Sequence, residues 1–426
     1  MKIQILLAFS LAAVVSWSAP RMDRSRFQIG VFGYSDKLSD ENRVREMKEC
    51  GIDYVYGVPV KARNVLDNLS KYGMGCVVDG VIPKPWGGGT RKAELLQGDF
   101  KGSFTSALDD YLMRMDHPAV WMFSFSDEPN AMDFPDMGHI VSLTHEKCPD
   151  IPVYVNLFPN YALAAENSVS EVVSQLGTSN YIAHVESYDR CLALDYLSFD
   201  HYIYNDNREK SISNVARLQE NFRIVADVCR RSGRSLWFVP QVNTQPKNKI
   251  KMSLNKLRFQ AYLAMAYGAE SLTWACWYPR WWDCNVYDRN DVRDDEVYGR
   301  LKAVNGEIRA LSSKYMAYRN VRTECIGGHG AAAEYNDGLF KRVRAVDGAP
   351  LVVGGMVGRK GTGQALLIFA AADPWGESSR ERTVSFECPK PIFARGVGGS
   401  MPVVRRQDGT CAITVVDSQC VFVATK

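Results

Sequence analysis

Several short stretches of the chain bring acids, amides and aromatics together where chemistry is possible. Ser126-Asp127-Glu128-Pro129-Asn130 holds two consecutive carboxylates. Asp200-His201-Tyr202 holds a third, with Tyr204 just beyond. Gln241-Val242-Asn243 offers amides. Trp277-Tyr278-Pro279, then Trp281, Trp282 and Asp283, offer aromatics, and Lys84-Pro85-Trp86 adds another. Carboxylates among Trp, Tyr and Asn suit a sugar. A pyranose ring presents apolar C–H faces that stack on aromatic rings, and hydroxyls that take amide or carboxylate partners. Breaking a glycosidic bond needs a carboxylic acid to protonate the leaving oxygen. It also needs a second carboxylate, as nucleophile or as base for water. Glu128 is the natural acid.

Metal chemistry has no comparable support. The 6 histidines form no HxH or HExxH pattern, and no two cysteines form a CxxC pair. Asp288, Asp291, Asp294 and Asp295 lie close together, but not at the spacing of an EF-hand loop. No cofactor is expected.

What positions these residues is an alternation of short apolar runs with amphipathic stretches between residues 27 and 316. The runs FQIGVFG (27–33), 52–56, MGCVVDGVI (74–82), AVWMFSFS (119–126), PVYVNL (152–157), DYLSFD (195–200), SLWFVPQ (235–241) and SLTWACW (271–277) read as strands. Each is apolar nearly throughout, as a parallel strand covered on both faces must be. Helical patterns follow each one, several stopped by Gly, as at Gly51, Gly73, Gly233 and Gly268. Two helical segments are expected after the fifth strand, near 169–176 and 180–191. Strand–helix alternation repeated to this length predicts a closed (β/α)8 TIM barrel, and the first turn lacks the GxGxxG of a dinucleotide-binding open sheet. A barrel carries its site at the C-terminal ends of its strands, where Glu128, Asp200, Gln241 and Trp277 fall. Beyond residue 318 the helical periodicity disappears. LFKRVRAV, LVVGGMVG, QALLIFAAA, RTVSFEC, CAITVVD and CVFVAT, separated by turn residues, predict a small antiparallel β-sandwich.

Phe125-Ser126-Asp127-Glu128-Pro129 after strand four resembles the Asn-Glu-Pro signature of clan A glycoside hydrolases, the superfamily of cellulases, mannanases and many β-galactosidases. The resemblance covers most of the chain and implies that Glu128 is the acid/base. It also implies that Tyr202 or Tyr204 is the aromatic after strand six. Trp277, or less fittingly Trp274, matches the strand-eight Trp that floors the sugar. Two departures stand out. The Asn before the acid is Asp127, whose like charge would raise the pKa of Glu128. The nucleophile of the clan is a Glu ending strand seven, and the matching residue is Gln241, an amide. Three readings follow: Asp200 acts as base or nucleophile; the substrate assists its own cleavage, for example through an acetamido group; or the barrel binds sugar without cleaving it. The first makes Glu128 and Asp200 the catalytic pair. Asp127, Tyr202, Gln241, Trp277, Trp86 and Trp281 would position the sugar. The polar stretch 281–296 reads as a rim with Trp281 or Trp282 as platforms. Asp79 reads as a loop cap, Glu186 as a helix-face residue and His201 as structural.

The remaining features bound the setting. With 426 residues, 51 Lys+Arg and 48 Asp+Glu, the formal net charge of +3 gives no field for nucleic acid and fits a neutral or weakly charged glycan. Residues 1–18 read as a secretory signal: Lys2, an apolar run Ile3 to Val15, and Ser16-Trp17-Ser18 for cleavage. That predicts a secreted or periplasmic protein with the barrel at 19–317 and the sandwich at 318–426. No later run reaches the ~18 apolar residues of a membrane span. The 11 cysteines allow pairs such as Cys276 with Cys284, or Cys388 with Cys411 or Cys420.

Overall fold

The computed structural model describes residues 21–82, 100–165, 174–204, 207–244, 251–328, 332–361 and 363–426. The expected signal segment 1–18, and Trp86, lie outside the described residues.

Strands β1 (Gln28–Phe32), β2 (Tyr54–Pro59), β3 (Gly75–Asp79), β4 (Val120–Asp127), β5 (Val153–Leu157), β6 (Tyr196–Asp200), β7 (Ser235–Val239) and β8 (Ala269–Trp274) form a closed barrel. Neighbours pair in parallel, and β1 closes on β8 from Gln28↔Ser271 to Val31↔Trp274. Around it run α1 (Glu41–Glu49), α2 (Arg63–Lys71), α3 (Phe100–Asp110), α4 (Phe134–Lys147), α5 (Tyr181–Leu192), α6 (Arg208–Ser232), α7 (Leu254–Ala266) and α8 (Asp295–Tyr315). Several start on side-chain caps that satisfy the first free backbone N–H groups. Asn180 accepts from Ala183 N, Asn207 from Lys210 N, Ser253 from Lys256 N, and Asp294 from Glu296 N and Val297 N. Gly233 ends α6 in the left-handed region, at φ +73°. The expected helix near 169–176 is not seen in its described part: 174–180 is a bend that leads into α5.

The barrel interior is filled, as the fold requires. Tyr54, Val77, Met122, Tyr154, Tyr196 and Trp237 make one buried layer, with Tyr196 stacked on Trp237 at 4.0 Å. Tyr54 reaches across to β8, donating to or accepting from Thr273 at 2.6 Å. It can do so only because Gly30 faces it: a Cβ there would stand 2.3 Å from the Tyr54 ring. Above this layer, at the strand C-termini, Phe32, Val239, Ala275 and Cys276 form a second apolar cluster, with Tyr56, Tyr202 and Trp281 packed on it.

The C-terminal strands β9 (Tyr318–Ile326), β10 (Lys341–Ala345), β11 (Leu351–Gly358), β12 (Gln364–Ala370), β13 (Glu381–Glu387), β14 (Ile392–Gly396), β15 (Gly399–Met401), β16 (Val404–Arg405), β17 (Thr410–Val416) and β18 (Cys420–Thr425) form two antiparallel sheets, ordered β10-β13-β17-β16 and β15-β14-β18-β12-β11-β9. The second sheet begins with β9 (Tyr318–Ile326), which the sequence reading passed over because its burial is mostly partial or absent and its side chains largely polar. One face of that sheet packs on the barrel, with Phe369 edge-on to Phe259 of α7 at 5.3 Å, and the other faces the smaller sheet. The architecture is thus a TIM barrel followed by a β-sandwich. All eleven cysteines are free thiols, so the suggested disulfide pairs are not formed. Among the described residues no helix is long and apolar enough to cross a membrane.

Candidate active site

β4 ends at Asp127, and Glu128 follows in the left-handed region at φ +50°. In an extended strand, consecutive side chains point to opposite sides. The turn at Glu128 breaks that alternation, so both carboxylates act on the barrel mouth, and Glu128 feels the charge of Asp127. A non-glycine residue in this conformation costs ~1–3 kcal/mol and persists only where its surroundings hold it. Here they do. Glu128 N donates to Asn156 O at 2.9 Å. Asn130 accepts from Met132 N at 2.9 Å and donates to Ser174 O at 2.9 Å.

Asp200, the last residue of β6, is brought close enough to Glu128 for its charge to bear on the Glu128 carboxyl. Asp200 is buried, and Asn156 Nδ2 donates to its Oδ1 at 2.8 Å. Asn156 is itself oriented by Ser198, whose hydroxyl donates to Asn156 Oδ1 at 2.9 Å. The Tyr202 hydroxyl also donates to Asp200. Burial raises the pKa of Glu128 far above the ordinary carboxylate range, helped by the charges of Asp200 and Asp127 and by the Asp200 hydrogen bond. Burial likewise raises Asp200, with the Asp127 charge adding to it, against the lowering donors Asn156 and Tyr202. Burial and like charge thus oppose ionisation of both groups, so both carboxyls are held above the ordinary carboxylate range.

Asp200 and Glu128 stand at the ends of β6 and β4, one barrel strand apart, and each bears on the other's ionisation.

Aromatic side chains surround the pair. Tyr202 lies 6.3 Å from Trp281 and edge-on to Trp282 at 5.2 Å, by ring centroids. Trp281 is edge-on to Phe32 at 5.8 Å, and Phe32 contacts Tyr56 at 4.2 Å. Asn243 fixes this loop, its Nδ2 donating to Trp281 O at 2.8 Å. Tyr202 and Trp281 thus stand together beside the carboxylates of Asp127, Glu128 and Asp200. Tyr161, in the loop after β5, also stands close enough to Asp200 and Glu128 for their charges to raise its pKa, though burial raises it most. Its ring sits edge-on to His201 at 4.9 Å and is 45% exposed. Sequence reading missed Tyr161 and Asn156. A lone Asn near the end of an apolar strand was a usable signal for the second; nothing distinguished the first.

Two expected sugar contacts are elsewhere. Trp277 is fully buried between Tyr287 and Tyr298, with ring centroids 6.1 and 6.0 Å away, so it is core and no platform. Trp274 is core as well, its Nε1 donating to Asn305 Oδ1 at 2.9 Å. Gln241 is fully buried: its Oε1 accepts from Tyr204 N at 2.8 Å and its Nε2 donates to Asn243 O at 3.0 Å. Its amide braces two mouth loops and does not face a substrate. The last residue of β7, Val239, is buried and paired in register with Asp200. Tyr204 points away, donating to Pro374 O at 2.6 Å. His201 is buried and hydrogen-bonded to Asn221, which suits a structural role; burial lowers its pKa to about 4.

Beyond Trp282 the loop 281–296 folds over α1 and is no rim. Arg43 donates to the Tyr287 hydroxyl at 2.6 Å and to Asp291 at 2.9 Å, and the Tyr287 hydroxyl donates to Glu46. Asp288 accepts from Val292 N at 2.8 Å, Asp294 caps α8, and Asp295 pairs with Arg293. No group of three or more potential metal ligands occurs among the described residues.

The fold, a barrel with a trailing sandwich, is shared with glycoside hydrolases of known structure. A family 42 β-galactosidase from G. stearothermophilus, in a catalytic-mutant form, superposes with a TM-score of 0.57 at 8% identity, covering 94% of this chain and 98% of that one. A cold-adapted β-galactosidase from Rahnella sp. R3 aligns over 94% and 98% at 9% identity, with a TM-score of 0.47. A xylanase from Thermotoga maritima aligns over 66% and 95% at 10% identity, with a TM-score of 0.42. At such identities the likeness is one of fold. No protein-family model and no curated sequence matches the chain.

Proposed function

We propose that this protein is a glycoside hydrolase in which Glu128 is the general acid. The carrying observation is the gathering of Asp127, Glu128 and Asp200 at the ends of β4 and β6, beside the rings of Tyr202, Trp281 and Trp282. A general acid works best when it keeps its proton at the operating pH. Glu128 does so because burial, Asp127 and Asp200 all disfavour its ionised form. As the glycosidic bond breaks, the proton passes from Glu128 to the leaving oxygen. The charge of Asp200 helps Glu128 keep that proton until then and regain it afterwards. Tyr202, Trp281 and Trp282 offer ring faces and edges to the pyranose, and Asp127 accepts from a polar group of the sugar. The segment 1–18 fits an export signal, which would bring the enzyme to polysaccharide outside the cytoplasm.

The test is product analysis on a panel of oligosaccharides and aryl glycosides, with wild type and Glu128→Gln. Cleavage by wild type and loss in the variant support the reading. Sugar binding by wild type without cleavage of any glycan would make the protein a carbohydrate-binding barrel instead.

A further inference from the structure

Tyr202 meets two consecutive tryptophans, its ring centroid 6.3 Å from that of Trp281 and 5.2 Å from that of Trp282. Consecutive residues of extended chain point to opposite sides. Trp282 departs from that pattern by sitting in the left-handed region at φ +57°, and Cys284 follows at φ +58°. Non-glycine residues stay in that region only where neighbouring structure holds them. The holding segment here is 243–244, just past β7. Asn243 Nδ2 donates to Trp281 O at 2.8 Å. Thr244 N donates to Asp283 O at 2.9 Å, and Asp283 N donates back to Thr244 O at 2.9 Å.

That segment is itself anchored from outside the barrel. Gln241 Nε2 donates to Asn243 O at 3.0 Å, and Gln241 Oε1 accepts from Tyr204 N at 2.8 Å. The Tyr204 hydroxyl donates to Pro374 O at 2.6 Å, in the sandwich loop between β12 and β13. Tyr204, Gln241, Asn243 and Thr244 are all buried, so these bonds are made away from water, where they are stronger than at the surface. The sandwich loop is locked in turn onto the start of α7. The Lys256 ammonium lies 3.5 Å from the Trp375 ring centroid, and Asn255 Nδ2 donates to Ser378 O at 3.2 Å. Gly376, at φ +78°, allows this close approach: a Cβ there would stand 3.0 Å from Lys256 N.

From this continuous chain of bonds, and resting on the glycosidase reading for its functional meaning, we infer that the sandwich loop 371–380 is a positioning element for the sugar site. Through Tyr204, Gln241 and Asn243 it holds the Trp281–Trp282 turn in the shape that grips the substrate. Tyr204 and Trp375 are positioning residues, acting on the sugar through the two tryptophans. Glu128 is held separately, by the bond from its N to Asn156 O. Loosening the chain therefore weakens the grip on the sugar and leaves proton transfer largely in place.

The experiment uses the full chain with Tyr204→Phe, which removes only the hydroxyl bonded to Pro374 O, and with Trp375→Leu, which acts from the sandwich side. On a glycan that wild type cleaves, each should raise KM about two- to tenfold, the range that loss of one hydrogen bond gives, with kcat within about twofold. In a Trp281→Ala background the platform is already gone, so Tyr204→Phe should add little. Glu377→Gln, on the same loop but in an exposed ion pair with Arg208 at 3.6 Å, should leave KM unchanged. A second readout needs no catalysis. Acrylamide quenching of Trp281 and Trp282 emission, isolated by difference from a chain carrying Trp281→Phe and Trp282→Phe, should rise in Tyr204→Phe. Unchanged KM or unchanged quenching, with only a lowered melting temperature, makes Tyr204 a structural anchor and overturns the inference. An equal rise in KM with and without Trp281 overturns it as well. If wild type cleaves no glycan, the glycosidase reading falls and quenching alone decides the inference.

Discussion

Replacing Glu128 by Gln should make the protein more stable, and increasingly so as pH rises. Both carboxyls of the Glu128–Asp200 pair have folded-state pKa values above their ordinary ones of 4.5 and 3.8. Above about pH 5 the folded protein therefore holds a proton that the unfolded chain has released. A raised acid contributes stability that is fully present below its unfolded pKa and is lost as pH climbs through its folded one. One full excess proton gives a slope of ~1.4 kcal/mol per pH unit, and half a proton gives ~0.7. Between pH 5.5 and 8.5 the wild type should lose ~2–4 kcal/mol on this account. Glu128→Gln removes the like charge that holds Asp200 up, keeps the side-chain shape, and should lose much less. Thermal unfolding of both proteins across that range, in one buffer system at fixed salt, measures the difference. The variant should melt close to wild type at pH 5.5 and several degrees above it at pH 8.5. Parallel curves, or a variant that falls behind as pH rises, would refute the raised carboxyl pKa values.

Other consequences of the same geometry are open to test. Asp200→Asn deletes the neighbouring charge, so the alkaline limb of kcat/KM should move to lower pH, because Glu128 then ionises more readily; an unmoved limb would detach Asp200 from the acid. Trp281→Ala should raise KM with little effect on folding, whereas Trp277→Ala should cost ~3–5 kcal/mol of stability by opening a core cavity and leave KM near wild type in the folded fraction, as urea titration and kinetics at low temperature would reveal. Gln241→Glu should restore no double-displacement activity and should destabilise by ~1–3 kcal/mol, because it strips the donor from Asn243 O at a fully buried site.

The barrel was legible because strands buried on both faces are apolar throughout, and because Gly233 and the capping Ser and Asn residues mark helix ends in the chain itself. The sandwich was legible where both faces of a strand are covered, as in β11 (Leu351–Gly358) and β12 (Gln364–Ala370), and illegible in the largely exposed β9. Glu128 was visible because strand four ends in a consecutive acid pair. What Asp200 touches was not, since contact between β4 and β6 is set by barrel closure and by the left-handed turn at Glu128. Trp277 and Gln241 misled for a related reason. Position after a strand places a residue near the mouth, but β8 ends at Trp274 and the following turn sends Trp277 into the core. Gln241 lies past the end of β7, where loop backbone claims its amide.

The central role assigned to Glu128 is donation of the proton that frees the leaving group. The direct measurement is the ratio of Glu128→Gln to wild-type kcat/KM for two glycosides of the same sugar, one with an alkyl or sugar leaving group and one with 2,4-dinitrophenolate. The first leaving group needs protonation, and its rate should fall by ~10²–10⁴-fold. The second leaves unaided, so its rate should fall far less. Equal losses for both, or no loss for either, would contradict Glu128 as the general acid.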